Sequence, residues 1–104
     1  MARRKIIWSK TADIQFNGVL EYWLNRNKSN RYPKRLIRLT IKRTEDIANN
    51  PEVYRQAEVS GYRVSVLENF SIYYQVTDDS ILIAAFWDNR QDPDVLLDIL
   101  TNKI

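Results

Sequence analysis

The sequence predicts one α+β domain over residues 1–104: an antiparallel four-stranded sheet in the chain order β-α-α-β-β-β, with a helical hairpin packed on one face and a short C-terminal helix. Three observations support this prediction. Short runs of Val, Ile, Tyr, Phe and Trp alternate with turn-forming residues in the second half. Two longer segments in the first half repeat apolar residues at helical spacing. A chain of 104 residues is long enough to bury one modest core.

The segment from residue 62 to residue 93 predicts three consecutive strands. Turn formers fall at Glu68-Asn69 and at residues 77–80, and both breaks are short enough for hairpins. Because successive strand residues point to opposite faces, the middle strand has one apolar face and one polar face that carries Tyr73. We therefore expect one face of the sheet to be covered and the other to stay open. The last strand, residues 81–87, is apolar on both sides, which indicates a central position.

The first half predicts a strand followed by two helices. Residues 4–8 (RKIIW) form the strand, and Ser9 can then cap a helix from Thr11 to about Arg26. Tyr32-Pro33 opens the second helix, since proline is tolerated in a first turn, and Asn49-Asn50-Pro51 ends it. Only a few residues separate the helices, so we expect an antiparallel hairpin laid across the sheet.

A short helix is predicted at the end of the chain. Asp92-Pro93 combines a capping side chain with a proline suited to a first helical turn. Apolar residues three and four apart follow between residues 95 and 100, and the helix should end near Asn102.

The missing residue types exclude several kinds of site. The chain has no cysteine and no histidine, which rules out disulfides, thiol nucleophiles, ordinary zinc sites and imidazole bases. We expect no metal and no cofactor. No apolar run reaches the roughly 18 residues of a membrane span, and the Met-Ala-Arg-Arg-Lys start leads straight into a strand. The sequence therefore predicts a cytoplasmic protein without membrane contact.

Charge is divided unevenly along the chain. Residues 1–50 carry twelve basic and four acidic side chains, a net charge of +8, whereas residues 51–104 carry a net charge of −5. Four of the basic residues form a stripe on the second helix, opposite its apolar side: Arg31, Arg35, Arg38 and Lys42. This stripe is a candidate surface for nucleic-acid phosphates or an acidic protein partner. The alternative is an ordinary solvated helix face.

Arg63, Tyr73 and Arg90 are the candidate catalytic residues. If they converge on the open side of the sheet, two guanidinium groups can hold a phosphate while a phenol stacks on a base or relays a proton. In the alternative, each arginine pairs with a nearby carboxylate. The candidate partners are Glu58 or Glu68 for Arg63, and Asp88, Asp92 or Asp94 for Arg90.

Three stretches, IIWSKTADIQFNGVLEYW, YRVSVLENFSIYYQV and IAAFWDNRQDP, resemble the RelE/ParE superfamily of small toxins from bacterial type II toxin-antitoxin modules, the plasmid-stabilisation type. The likeness covers nearly the whole chain. It implies a cytoplasmic bacterial protein that inhibits growth and is neutralised by a cognate antitoxin. A homodimer and a heterotetramer with the antitoxin both remain open.

The resemblance implies two alternative targets. RelE-like members cleave messenger RNA on the ribosome without metal, and their basic positions fall here on Arg63 and Arg90. The proton carrier in that reaction would be Tyr73, which is our own candidate and not a position matched to the family. Three other nuclease positions are not matched, because Ser65, Ser71 and Leu96 occupy them. The catalytic set of a metal-independent mRNA endoribonuclease is thus incomplete. ParE-like members poison DNA gyrase instead. A third interpretation is a non-catalytic binding module or degenerate toxin that only binds an antitoxin.

Overall fold

The computed structural model describes residues 3–101, which form four strands and three helices. In chain order these are β1 (Lys5–Trp8), α1 (Lys10–Asn27), α2 (Arg31–Asn49), β2 (Arg63–Leu67), β3 (Phe70–Val76), β4 (Ser80–Asp88) and α3 (Pro93–Thr101). The predicted end of the last helix near Asn102 lies outside the described residues. None of the helices described is long and apolar enough to cross a membrane.

The α+β architecture is confirmed, and β4 is central as predicted. The strand order is β1-β4-β3-β2, and β2, β3 and β4 form the expected antiparallel meander. The sheet differs from the prediction at one pair, because β1 runs parallel to β4. The chain leaves β1 through the two helices and returns to the far edge, and this long connection permits a parallel neighbour.

Ser9 joins β1 to α1. Its Oγ accepts a hydrogen bond from the Ala12 N–H at 3.0 Å, as expected of a helix N-cap. The same hydroxyl donates to the Ala84 carbonyl at 3.2 Å, while the Ser9 N–H donates to the Ile83 carbonyl at 2.9 Å. The residue that ends the strand therefore also attaches the start of the helix to β4.

The helical hairpin covers one face of the sheet, here called the hairpin face. Its core contains these buried residues: Ala12, Leu36, Ile47, Ala48, Leu67, Phe70, Ile72, Tyr74, Ile81, Ile83 and Phe86. They come from α1, α2 and the three meander strands. The predicted placement of the hairpin on one face is confirmed.

The opposite face, here called the α3 face, is partly covered as well. Leu96 and Leu100, one helical turn apart on α3, are buried with Tyr62, Ala85 and Trp87. The Tyr62 hydroxyl donates to the Leu100 carbonyl at 3.1 Å. The expectation of a wholly open face is therefore wrong, because the apolar side of α3 needs a surface to pack against.

Glu68 forms the first residue of the tight turn between β2 and β3 and has a left-handed backbone, with φ of 56°. Its carboxylate accepts from Arg35 at 2.7 Å and from the Tyr32 hydroxyl at 3.2 Å. Positive φ is unfavourable for a glutamate. These two contacts with α2 hold the turn against the helical hairpin.

We predict that Tyr74→Phe lowers the free energy of unfolding by about 1–3 kcal/mol, because the buried Pro51 carbonyl loses its donor. The Tyr74 hydroxyl is fully buried and donates to that carbonyl at 2.7 Å. Urea unfolding near neutral pH measures the difference. Tyr22→Phe, at a ring that is 51% exposed, is the control and should change the value by less than about 0.5 kcal/mol.

Burial raises the pKa of Tyr74 from 10.0 to about 12. Because the folded-state pKa lies above the unfolded value, the protonated phenol stabilises the fold fully below pH 10. This stabilisation is lost as the pH rises through 12. The difference in free energy of unfolding between wild type and Tyr74→Phe should therefore become smaller in strong alkali. Equal free energies of unfolding for wild type and Tyr74→Phe near neutral pH would contradict the hydrogen bond from Tyr74 to the Pro51 carbonyl.

Candidate functional site

Arg63 lies on the hairpin face at the start of β2. It pairs in register with Tyr74, and its Nη1 donates to the Tyr54 carbonyl at 2.7 Å. Neither expected carboxylate holds it, since Glu68 binds Arg35 and no ion pair involves Arg63 within residues 3–101. The guanidinium is thus half-buried against backbone.

Tyr73 lies on the α3 face. It pairs with Val64 and Ala85 and packs partly buried beside the cluster under α3. Its pKa is raised, mainly by burial, with Arg55 opposing the rise and Glu58 adding to it. The phenol therefore holds its proton more firmly than a free tyrosine. Because neighbouring strand positions alternate, Tyr73 and Arg63 point to opposite faces, and the predicted convergence is wrong.

Arg90 lies just beyond β4 and is fixed by two neighbours. Its Nε and Nη2 donate to the two carboxylate oxygens of Asp88 at 3.0 and 2.7 Å, which is one of the pairings the sequence left open. Its guanidinium carbon stands 5.6 Å from the centroid of the Trp23 ring. The hydrogen bonds from Arg90 lower the pKa of Asp88, and those to Asp88 raise the pKa of Arg90.

The two arginines are also at opposite ends of the sheet. β2 ends at Leu67, which pairs with Phe70, and Phe70 pairs with Asp88 on β4. Arg90 therefore lies near the Leu67 end of β2, whereas Arg63 lies at the other end of that strand. Four residues of strand span about 13 Å, and two strand spacings add about 10 Å across the sheet. Arg63 and Arg90 cannot hold one phosphate in this arrangement.

The basic stripe of α2 is solvent-exposed along its length. Arg35 bonds to Glu68 at 2.7 Å, and Lys42 to Asp46 at 3.2 Å. Arg31 and Arg38 are exposed and have no ion pair in the part of the chain that the structure describes. The structure thus places all four side chains on one surface and leaves two of them available for a partner.

A groove of about 620 Å³ between α1 and the exit of β4 was not predicted from the sequence. Ile14, Gly18 and Tyr22 line its α1 wall, and Phe86, Asp88 and Arg90 lie opposite. The sequence did contain a signal, because Ile14, Gly18 and Tyr22 recur at intervals of four outside the main apolar stripe of α1. The groove is therefore a second candidate binding surface beside the basic stripe.

Comparison with known proteins gives one family and a shared fold. The family model described as the ParE toxin of the type II toxin-antitoxin system parDE matches residues 6–93. A structure of the chromosomal ParDE toxin-antitoxin system from P. aeruginosa is 17% identical, with a TM-score of 0.71 over 83% of this chain and 96% of that one. The YoeB dimer from Staphylococcus aureus is 18% identical, with a TM-score of 0.58 over 83% and 97%. No curated protein matches the sequence.

The Asp88–Arg90 pair predicts an acid-sensitive contribution to stability. The folded-state pKa of Asp88 is lowered, so the contribution is complete above the unfolded value of 3.8 and is lost as the pH falls through the folded value. We expect Asp88→Asn to melt at a lower temperature than wild type at pH 6, with the difference vanishing in strong acid.

Thermal unfolding between pH 6 and pH 2.5 measures this dependence. Asp78→Asn, at an exposed position in the turn between β3 and β4, is the matched control and should leave the melting temperature at pH 6 unchanged. A constant difference between wild type and Asp88→Asn across the range would refute the assigned ion pair.

Proposed function

The chain belongs to the ParE toxin family of type II toxin-antitoxin systems, and from this membership we propose that it inhibits growth by poisoning DNA gyrase. A cognate antitoxin neutralises it in the cytoplasm. Gyrase is the target of ParE-like members of the superfamily, and messenger RNA is the target of RelE-like members.

The observation that supports gyrase over messenger RNA is the separation of the three candidate catalytic residues. Phosphoester cleavage needs a charge clamp and a proton carrier around one phosphate. Arg63 and Tyr73 point to opposite faces of the sheet, and Arg90 is held at the far end by Asp88. A poison that traps an enzyme on its DNA needs a binding surface and no reactive constellation of its own.

The basic stripe of α2 is the surface we assign to the target. In a gyrase complex Arg31 and Arg38 contact DNA phosphates, because they are exposed and not neutralised by carboxylates within residues 3–101. Arg35 and Lys42 each retain a neighbouring carboxylate and add less. Binding through such a surface is electrostatic and weakens with salt.

We predict that the chain inhibits supercoiling by purified gyrase and traps broken DNA. The direct test is a plasmid supercoiling assay, run beside ribosome toeprinting on a defined messenger RNA. New cuts on the ribosome that disappear in Arg90→Ala, with supercoiling intact, would replace the proposal with the nuclease. Activity in neither assay, together with a stable antitoxin complex, would leave a degenerate toxin that only binds its antitoxin.

A second prediction concerns the basic stripe. The double variant Arg31→Gln with Arg38→Gln should reduce by about 2 the slope of log affinity against log salt for the gyrase–DNA complex, because two phosphate contacts are lost. The matched control is Lys10→Gln with Arg55→Gln, which removes the same charge at exposed positions outside the stripe. Equal slopes for both doubles would show that the stripe does not contact DNA.

A further inference from the structure

Glu68 occupies a backbone position that suits glycine better than glutamate. It is the first central residue of the two-residue turn between β2 and β3, and its φ is 56°. Asn69, the second central residue, does not have a positive φ. A positive φ at the first central position alone is the pattern of a type II′ turn, which ordinarily has glycine there. Glycine would therefore form this turn with less strain.

The Glu68 carboxylate reaches from the turn to the first turns of α2. Its Oε2 lies 2.7 Å from Arg35 Nη2, and its Oε1 accepts a hydrogen bond from the Tyr32 hydroxyl at 3.2 Å. The side chains of Glu68 and Arg35 are 27% and 51% exposed, and an ion pair this accessible to water adds little to stability. Stability alone is thus a weak reason for an acid at this position.

Arg35 is the middle one of the three arginines in the basic stripe. Arg31 precedes it by four residues and Arg38 follows it by three, so the three side chains share one side of α2 over about 10 Å. Arg31 and Arg38 have no ion pair within residues 3–101, whereas Arg35 is neutralised by Glu68. The carboxylate therefore lowers the positive charge of the stripe at its centre.

The number of free cations decides how tightly such a stripe holds DNA of any sequence. Each phosphate that a basic side chain neutralises releases counterions, and this term supplies nearly all of non-specific binding. A protein that acts on an enzyme bound to DNA loses effective concentration when bare DNA competes for it. Specificity is a difference between two affinities, so weakening the competing complex raises it.

We propose that Glu68 is a specificity-determining residue, which holds Arg35 away from DNA phosphates and so keeps the binding of the chain to bare duplex DNA weak. The inference rests on the proposed function, in which the basic stripe contacts DNA in the gyrase complex. The stripe then contributes to that complex through Arg31 and Arg38 without trapping the chain on DNA that carries no gyrase.

The test measures binding to a fluorescently labelled DNA duplex by anisotropy, over a range of salt concentrations and without gyrase. It compares wild type with Glu68→Gln, which keeps the size of the side chain, and with Glu68→Gly, which suits the turn. Both variants release Arg35 for one further phosphate. The slope of log affinity against log salt should become steeper by about 0.9, and binding at about 0.1 M salt should tighten by about eightfold. Thermal melting confirms that each variant is folded.

Two controls separate the release of Arg35 from a change in net charge. Glu52→Gln removes the same charge at an exposed position beyond the end of α2, and should leave the slope unchanged and the affinity within about twofold of wild type. The double variant Arg35→Gln with Glu68→Gln removes both members of the ion pair. Its slope should return to the wild-type value.

Unchanged slopes in Glu68→Gln and Glu68→Gly would overturn the proposal and leave Glu68 with a structural role only. A steeper slope that persists in the double variant would also overturn it, because the released cation would not be Arg35. So would the absence of DNA binding by every variant at low salt, which removes the DNA contact itself. The anisotropy assay contains no gyrase, so the role of Glu68 and the inhibition of supercoiling can fail separately.

Discussion

Ser9 is the residue on which the arrangement of the sheet and the first helix depends. Its N–H makes the last hydrogen bond of the parallel β1–β4 pair, and its hydroxyl caps α1 through the Ala12 N–H. The helix that begins at Lys10 takes the chain away from β4, so β1 ends after four residues. β4 continues for nine. The difference in length creates the free edge, and the helix that begins at Lys10 forms the other wall beside it.

The register of the meander decides which chemistry the sheet can support. A two-residue turn sets Leu67 opposite Phe70, and every later pair follows, so Arg63 meets Tyr74 and not Tyr73. Since a shift of one residue would exchange the two faces of β2, the turn at Glu68 controls whether Arg63 and Tyr73 share a face. Arg35 and Tyr32 hold that turn from α2, which links the basic stripe to the strand register.

Local patterns predicted the elements well because their causes are local. The Ser9 cap, the proline at the start of α2 and the turn formers around Glu68 act within a few residues of themselves. The face of the sheet on which Arg63 lies could also be predicted from the sequence. A two-residue turn at Glu68-Asn69 fixes which residues of β2 and β3 pair with each other. The parallel β1–β4 pair and the packing of α3 depend on contacts between distant segments, which periodicity does not encode. The stacking of Arg90 on Trp23 is likewise a contact between the end of β4 and the far end of α1.

The basic stripe of α2 and the groove along α1 suit different kinds of partner, the first through its charge and the second through its shape. The basic stripe of α2 presents solvent-exposed cations, which favour a large polyanion. The groove along α1 has an apolar wall through Ile14 and Tyr22, which favours a partner that fits its shape. They lie on different helices, and Arg90 and Arg26 stand on the groove side, beside Trp23. Asp88 neutralises Arg90 on the groove side, whereas Arg31 and Arg38 have no ion pair among the described residues, so the two surfaces suit partners of different chemistry.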